Sequence, residues 1–242
     1  NWIVFSFWEQ PSCNKNNSAD CYVIDHFGKA GAEACEDYWN HAIQEKEYLS
    51  YVTTIFNDSI EYQVEKEWTR GFLDIFRQQK GYDLTPYLPA IGKEGYYNTE
   101  EGPNFEFNVS GMADQINNDY EDVLNYCYNE YHLKPLQEMA ENHGMDIRYQ
   151  VAYNKPLSME TSALNVGIPE TEYLLNPLNL DDSSAAAQNV GSFLSGRAMS
   201  SSVHMTDQHI LSAEMTAEFG NAYGQTYEDF AWWAKRGWSG GI

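Results

Sequence analysis

A chain of 242 residues can form one large α/β domain or two small ones, and 43% hydrophobic with 15% aromatic residues supplies a core and excludes a disordered chain. Its 36 acidic against 14 basic residues give a formal charge of -22, which argues against a nucleic-acid backbone or an anionic membrane surface as partner. No apolar run approaches the roughly 20 residues of a membrane span, and no charged-then-apolar leader opens the chain. The 18 Tyr, 7 Trp and 11 Phe stand among many carboxylates and amides. Aromatic faces stack on sugar rings and carboxylates accept from hydroxyls, so this palette suits a carbohydrate site; a solvated acidic secreted protein fits it equally.

In chain order, the apolar residues 2 to 8 read as a strand ending at Glu9-Gln10. Cys13 and Cys21 flank the polar loop that follows and are placed to close it. After Asp25-His26-Phe27, the apolar spacing of Ala34, Tyr38, Ala42 and Ile43 predicts a helix from about Gly31 to Leu49. Tyr51 to Phe56 carries no charge and reads as a strand buried on both faces. It runs into Asn57-Asp58-Ser59-Ile60-Glu61, where a parallel strand would present carboxylates to a site. Thr69 is the expected cap of the next helix, with Phe72, Leu73 and Phe76 inward and Gly81 as its stop.

Pro86 and Pro89 forbid helix continuation, and residues 92 to 118 read as a long loop of the kind that forms lids. From Asp119 a long helix is expected to end at Gly144, kinked at Pro135. Asp146 to Tyr153 is the next strand, bearing Gln150 and Tyr153, and Gly167 to Tyr173 brings Glu170 and Glu172. A Ser/Ala-rich link, a helix over 188 to 202, a short strand from His209 to Glu214, and a helix from Thr226 to Arg236 complete the order. That last helix is expected to bury Tyr227, Phe230, Ala231 and Ala234. The chain begins and stops within strand-like segments, so a piece of a longer protein is expected. Sequons at Asn16-Asn17-Ser18 and Asn108-Val109-Ser110 lean toward secretion; Asn57-Asp58-Ser59 matches the same pattern where a glycan would block a site.

Alternating strands and helices point to a (β/α) barrel, in which strand ends converge on one face. Asp58 with Glu61, Glu170 with Glu172, and Glu214 would meet there. Two carboxyls across a sugar ring are what glycosidic cleavage requires, one protonated for the leaving oxygen and one ionised to activate water or attack the anomeric carbon. Clustered oxygens can also bind a hard metal, but no EF-hand loop, HExxH or zinc spacing occurs. His26, after its strand-like segment, can hydrogen-bond a sugar hydroxyl, and no Gly-x-Ser-x-Gly elbow supports a serine hydrolase.

Several segments in order resemble glycoside hydrolase family 106, the α-L-rhamnosidases. They are Trp2-Ile3-Val4-Phe5, Ile24-Asp25-His26-Phe27, Phe56-Asn57-Asp58-Ser59-Ile60-Glu61, Trp68-Thr69 and Gly81-Tyr82-Asp83-Leu84-Thr85-Pro86. Asp119-Tyr120, Glu141-Asn142-His143-Gly144-Met145, Arg148-Tyr149-Gln150, Ile168-Pro169-Glu170-Thr171-Glu172 and Ser212-Ala213-Glu214 continue the match. The resemblance implies a (β/α)8 TIM-type barrel, incomplete over residues 1–242 with about strands 3 to 8 present. It implies inverting hydrolysis of terminal α-L-rhamnosides in an oligosaccharide or polysaccharide, and a calcium ion of unknown ligands that helps hold the sugar. On it, Glu61 is the general acid and Glu214 the general base, with Asp58 and Glu172 shaping the substrate site or the metal; His26, Gln150 and Tyr153 are further candidates to line the substrate site. Glu172 competes with Glu214 for the base. A retaining β-galactosidase-like exo-glycosidase and a barrel that binds sugar without catalysis are the rival readings.

Overall fold

The structure, a computed structural model, describes residues 4–15, 21–60, 62, 64, 66–91, 111–151, 155, 157–175, 196–218 and 223–242. The chain divides into two units. The first comprises Asn1–Lys46, Ile60–Leu136 and Asn154–Leu157; the second comprises Glu47–Ser59, Gln137–Tyr153 and Ser158–Ile242.

In the first unit, Phe72 and Phe76 recur one turn apart on helix α2 (Phe72–Lys80), after α1 (Lys29–Glu45). Both are fully buried and pack on α3 (Ala113–Tyr128), where the Phe72 and Tyr120 rings lie 5.4 Å apart. Each such side chain contributes roughly 1.5–3 kcal/mol by leaving water. Lys80 closes the exposed end of this contact between Asp119 at 3.0 Å and Asp122 at 2.7 Å. Gly81 then stops α2 in the left-handed region at φ 79, which a side chain would resist.

After α3 the helix widens into a π turn (Asn129–Leu133), and α4 (Lys134–Asn142) follows. Pro135 has no N–H to donate and its ring crowds the preceding turn. A looser turn just ahead of it is the relief that geometry allows.

In the second unit, β1 (Thr54–Asn57), β2 (Asp146–Gln150), β3 (Ile168–Leu175) and β4 (Ser212–Glu218) form one parallel sheet in sequence order. Such a sheet with helices between its strands is the pattern of an incomplete α/β barrel. Alternation sends Ile55, Ile147, Tyr149 and Thr171 to the covered face, all buried. Gln137 ties two strand starts together: its Oε1 accepts from the Ile147 N–H at 3.1 Å and the Gly167 N–H at 2.8 Å. Helices α5 (Met159–Ala163) and α6 (196–204) come between β2, β3 and β4 in sequence, and α7 (Tyr227–Gly240) ends the unit. Thr226 and Asp229 form a capping box on α7, and Trp233 is buried beside Ala213 and Met215 of β4.

Several expectations change. Residues 4–8 are exposed and belong to no strand among the described residues; an apolar, aromatic run makes a strand only where a sheet takes it up. Phe56 is 45% exposed, so β1 is covered on one face and not two. Cys13 and Cys21 are free thiols; an antiparallel bridge between Lys15 and Tyr22 closes their loop instead. Thr69 does not cap α2, because its hydroxyl donates to Asp25, and Gly71 takes the cap position. α3 starts at Ala113, six residues before the expected Asp119 cap, and Asp119 instead accepts from Tyr82 Oη at 3.0 Å. α7 buries Trp233 and Gly237, not the predicted stripe: Tyr227 and Phe230 are exposed. The sequons 16–18 and 108–110, and most of the loop over 92–118, lie outside the described residues.

Candidate active site

Period-2 alternation puts Arg148 and Gln150 of β2, Glu170 and Glu172 of β3, and Ser212 and Glu214 of β4 on the sheet face opposite the covered core. In register, Gln150 pairs with Glu170, Glu170 with Ser212, and Glu172 with Glu214. Glu170, Glu172 and Glu214, predicted for strand ends, therefore stand inside β3 and β4, whereas Asp58 directly follows β1. Convergence comes from register rather than from the loops.

Glu170 is 0% exposed, and a buried carboxylate needs compensation. Arg148 Nε and Ser212 Oγ both donate to its Oε2. The Glu170 hydrogen bond is the main reason that Arg148 titrates above the ordinary arginine range, with burial opposing it and the charges of Glu170 and Glu214 adding to it. The Arg148 guanidinium also lies over the Phe56 ring, 4.7 Å from its centre. Glu214 is exposed and accepts from Gln150 Nε2 at 2.6 Å. One oxygen is thus fixed by an amide, while the carboxylate stays open to solvent: an arrangement suited to taking a proton from water.

The first unit has a second polar cluster. Lys155 Nζ pairs with Glu67 Oε1 and donates to the Tyr62 carbonyl at 2.7 Å; Lys155 is 4% and Glu67 2% exposed. Tyr62 Oη donates to the other Glu67 oxygen at 3.1 Å. The His26 ring stacks on Tyr62 and meets His132 edge-on at 4.7 Å between centres. Burial, aided by the Lys155 charge, lowers His26 to about 4, and burial with His26 beside it takes His132 well below the usual value. Both imidazoles are therefore neutral near pH 7. Asp25 joins this segment to the α2 start through Thr69 Oγ1 at 2.6 Å, and Gly28 is required there because a Cβ would collide with both side chains.

Of the predicted site residues, Gln150, Glu172 and Glu214 share the sheet face. Asp58 follows β1 in the same unit, exposed, with one oxygen on the Ser59 N–H at 2.9 Å. His26 is in the other unit's cluster, and Glu61 and Tyr153 lie outside the described residues. Sequence reading placed Glu170 among the converging acids but missed its partners Arg148 and Ser212, and it missed the Glu67 and Lys155 pair. The alternating Arg148-x-Gln150 and Glu170-x-Glu172 carried the first signal; nothing in sequence joins Glu67 to Lys155, 88 residues apart. No group of three or more His, Cys, Asp or Glu side chains among the described residues is gathered to hold a metal ion. The described residues therefore furnish no calcium cage by themselves, and no chemical step below is routed through a metal. Among the described residues no helix is long and apolar enough to cross a membrane.

A family model described as alpha-L-rhamnosidase matches residues 23–234. Among solved structures, the chain is similar to a rhamnosidase from Novosphingobium sp. PP1Y, with a TM-score of 0.68 at 17% identity. The similarity covers 97% of this chain and 21% of that one, so the chain spans about a fifth of the length of the structure it matches. A comparison with curated proteins gives no match.

Proposed function

The chain belongs to glycoside hydrolase family 106, the α-L-rhamnosidases, and from that membership we propose that the whole protein hydrolyses terminal α-L-rhamnosyl linkages of a plant-type polysaccharide or glycoside with inversion. The observation that carries this reading is the exposed Glu214 carboxylate, held by Gln150 on the same sheet face as the internally neutralised Arg148 and Glu170 pair. In the proposed step, a water attacks the anomeric carbon while Glu214 takes its proton, and Glu61 gives a proton to the leaving oxygen. The glycosidic bond breaks to free rhamnose and an alcohol, with the proton count unchanged. Asp58, Glu172 and Gln150 would contact sugar hydroxyls. Secretion, toward which the sequons lean, and a bound calcium, which the family resemblance implies, belong to this reading.

The test is turnover of an aryl α-L-rhamnoside by the full-length protein. Glu214→Gln and Glu61→Gln are each expected to lower kcat by about 10²–10⁴-fold, the usual scale for a lost acid or base, with thermal stability little changed. Wild-type-like turnover in either variant removes that residue from its role. Chelation in the same assay is expected to reduce turnover and added calcium to restore it; indifference to chelator removes the metal from the proposal.

A further inference from the structure

Between β1, which ends at Asn57, and α2, which starts at Phe72, the described residues form no helix or strand. No backbone ladder among them fixes the chain on either side of Glu61, so side chains have to do it. Tyr62, the residue after Glu61, is held at three points. Its carbonyl accepts from Lys155 Nζ at 2.7 Å, and its hydroxyl donates to Glu67 Oε2 at 3.1 Å. Its ring stacks on His26 at 5.7 Å between centres, with Lys155 Nζ 4.6 Å from the Tyr62 ring centre. Ile60, the residue before Glu61, is buried at 5% exposure. Both chain neighbours of Glu61 are thus tied down.

The group to which Tyr62 is tied is itself anchored. Lys155 and Glu67 neutralise one another out of contact with water, and the Glu67 carbonyl accepts from Tyr120 Oη at 2.5 Å. Tyr120 is fully buried on α3 and packs on Phe72 of α2. One ammonium therefore joins a backbone carbonyl next to Glu61 to the core of the first unit. A buried ion pair adds little stability over an apolar pair of similar volume, which leaves position as what this one supplies.

We propose that Lys155, seated on Glu67, is a positioning residue for the general acid: by holding the Tyr62 carbonyl it fixes the backbone from which Glu61 protonates the leaving oxygen. A proton donor works only within hydrogen-bond reach, about 2.6–3.2 Å, of the atom it protonates. Misplacement by about 1 Å costs up to roughly a hundredfold in rate. Lys155 is sealed from solvent and acts through Tyr62, not on the substrate. This inference rests on the role proposed for Glu61 and adds what keeps that residue's backbone in place.

The experiment uses the full-length protein and two aryl α-L-rhamnosides that differ in their need for an acid. Phenolate leaves poorly unless it is protonated, whereas dinitrophenolate leaves unaided. Lys155→Met combined with Glu67→Leu removes the ammonium while an apolar pair keeps the buried volume filled and most of the stability. This double variant is expected to lower kcat on the phenyl glycoside about ten- to a hundredfold and on the dinitrophenyl glycoside less than about threefold, with KM little changed. Tyr62→Phe, which loses the hydroxyl's bond to Glu67, is expected to lower kcat on the phenyl glycoside about two- to fivefold and to spare the dinitrophenyl glycoside. A pair that serves stability alone gives an equal loss on both substrates, or none once stability is recovered; either result in the double variant overturns the proposal. If the double variant does not fold, Tyr62→Phe decides on the same criterion. Glu61→Gln separates this failure from that of the reaction, since loss of the acid itself should favour the dinitrophenyl glycoside still more strongly. If Glu61→Gln shows that preference and the Lys155 variant does not, positioning alone is refuted. If Glu61→Gln shows no preference, or the wild type turns over neither glycoside, the acid's assignment falls and the inference with it.

Discussion

The two polar clusters use the same chemistry to opposite ends. In the first unit, Glu67 is matched by Lys155 and both side chains are nearly sealed from water, with Tyr62 donating to Glu67 through its hydroxyl and accepting from Lys155 at its carbonyl. On the sheet face of the second unit, Glu170 is equally buried, yet its partner Arg148 is 43% exposed at the side chain and the neighbouring Glu214 faces solvent. A sealed pair can only hold segments together, because neither charge can be reached. An ion pair with one open side leaves an adjacent carboxylate ready for chemistry. Burial, and not the number of charges, separates a clamp from a reactive surface.

The strongest way to break that distinction is to remove the sealed cation. Lys155→Met leaves Glu67 buried without its partner and is expected to destabilise the protein by about 3–5 kcal/mol in denaturant unfolding, while Lys155→Met combined with Glu67→Leu recovers most of the loss. A cost below about 1 kcal/mol for the single variant would show the pair to be solvated after all.

A smaller effect should appear on acidification. A histidine held below its unfolded value binds protons more readily when the chain unfolds. Stability tied to His26 is therefore fully present above about pH 6.5, falls as the pH drops toward about 4, and changes no further below that. His26→Phe should flatten this slope in unfolding measured against pH; an unaltered slope would place the titration elsewhere.

The open face should respond the other way round. Gln150→Ala is expected to cost no more than about 1 kcal/mol of stability, yet to lower turnover between about tenfold and a hundredfold because Glu214 loses its orientation. A variant that loses stability but keeps turnover would make the sheet face another clamp.

What could be read in the sequence followed period and turn chemistry. The 3.6-residue spacing of Phe72 and Phe76 and the glycine stops at Gly81 and Gly144 identified helices whose ends the structure keeps, both glycines at positive φ. Strands were expected over 146–153 and 209–214, and the structure forms them as Asp146–Gln150 and Ser212–Glu218, so their presence was legible and their ends were not. Glu170, Glu172 and Glu214 could be grouped as one surface, though strand ends were the wrong reason for it. Tyr227 and Phe230 were misassigned to a core because helical spacing gives a stripe but not the direction in which it faces; Trp233, larger and one turn on, takes the buried side. Thr69 looked like a cap because its bond to Asp25, 44 residues earlier, leaves no local trace. Long-range pairing of this kind is set by the fold and not by neighbouring residues.

The central claim is that Glu214 serves a water molecule rather than attacking the sugar itself. Proton NMR of the anomer first released from an aryl α-L-rhamnoside by the full-length protein tests it most directly. β-L-rhamnose should appear first and then equilibrate; α-L-rhamnose appearing first would mean two displacements through a covalent intermediate, and would contradict the role given to Glu214.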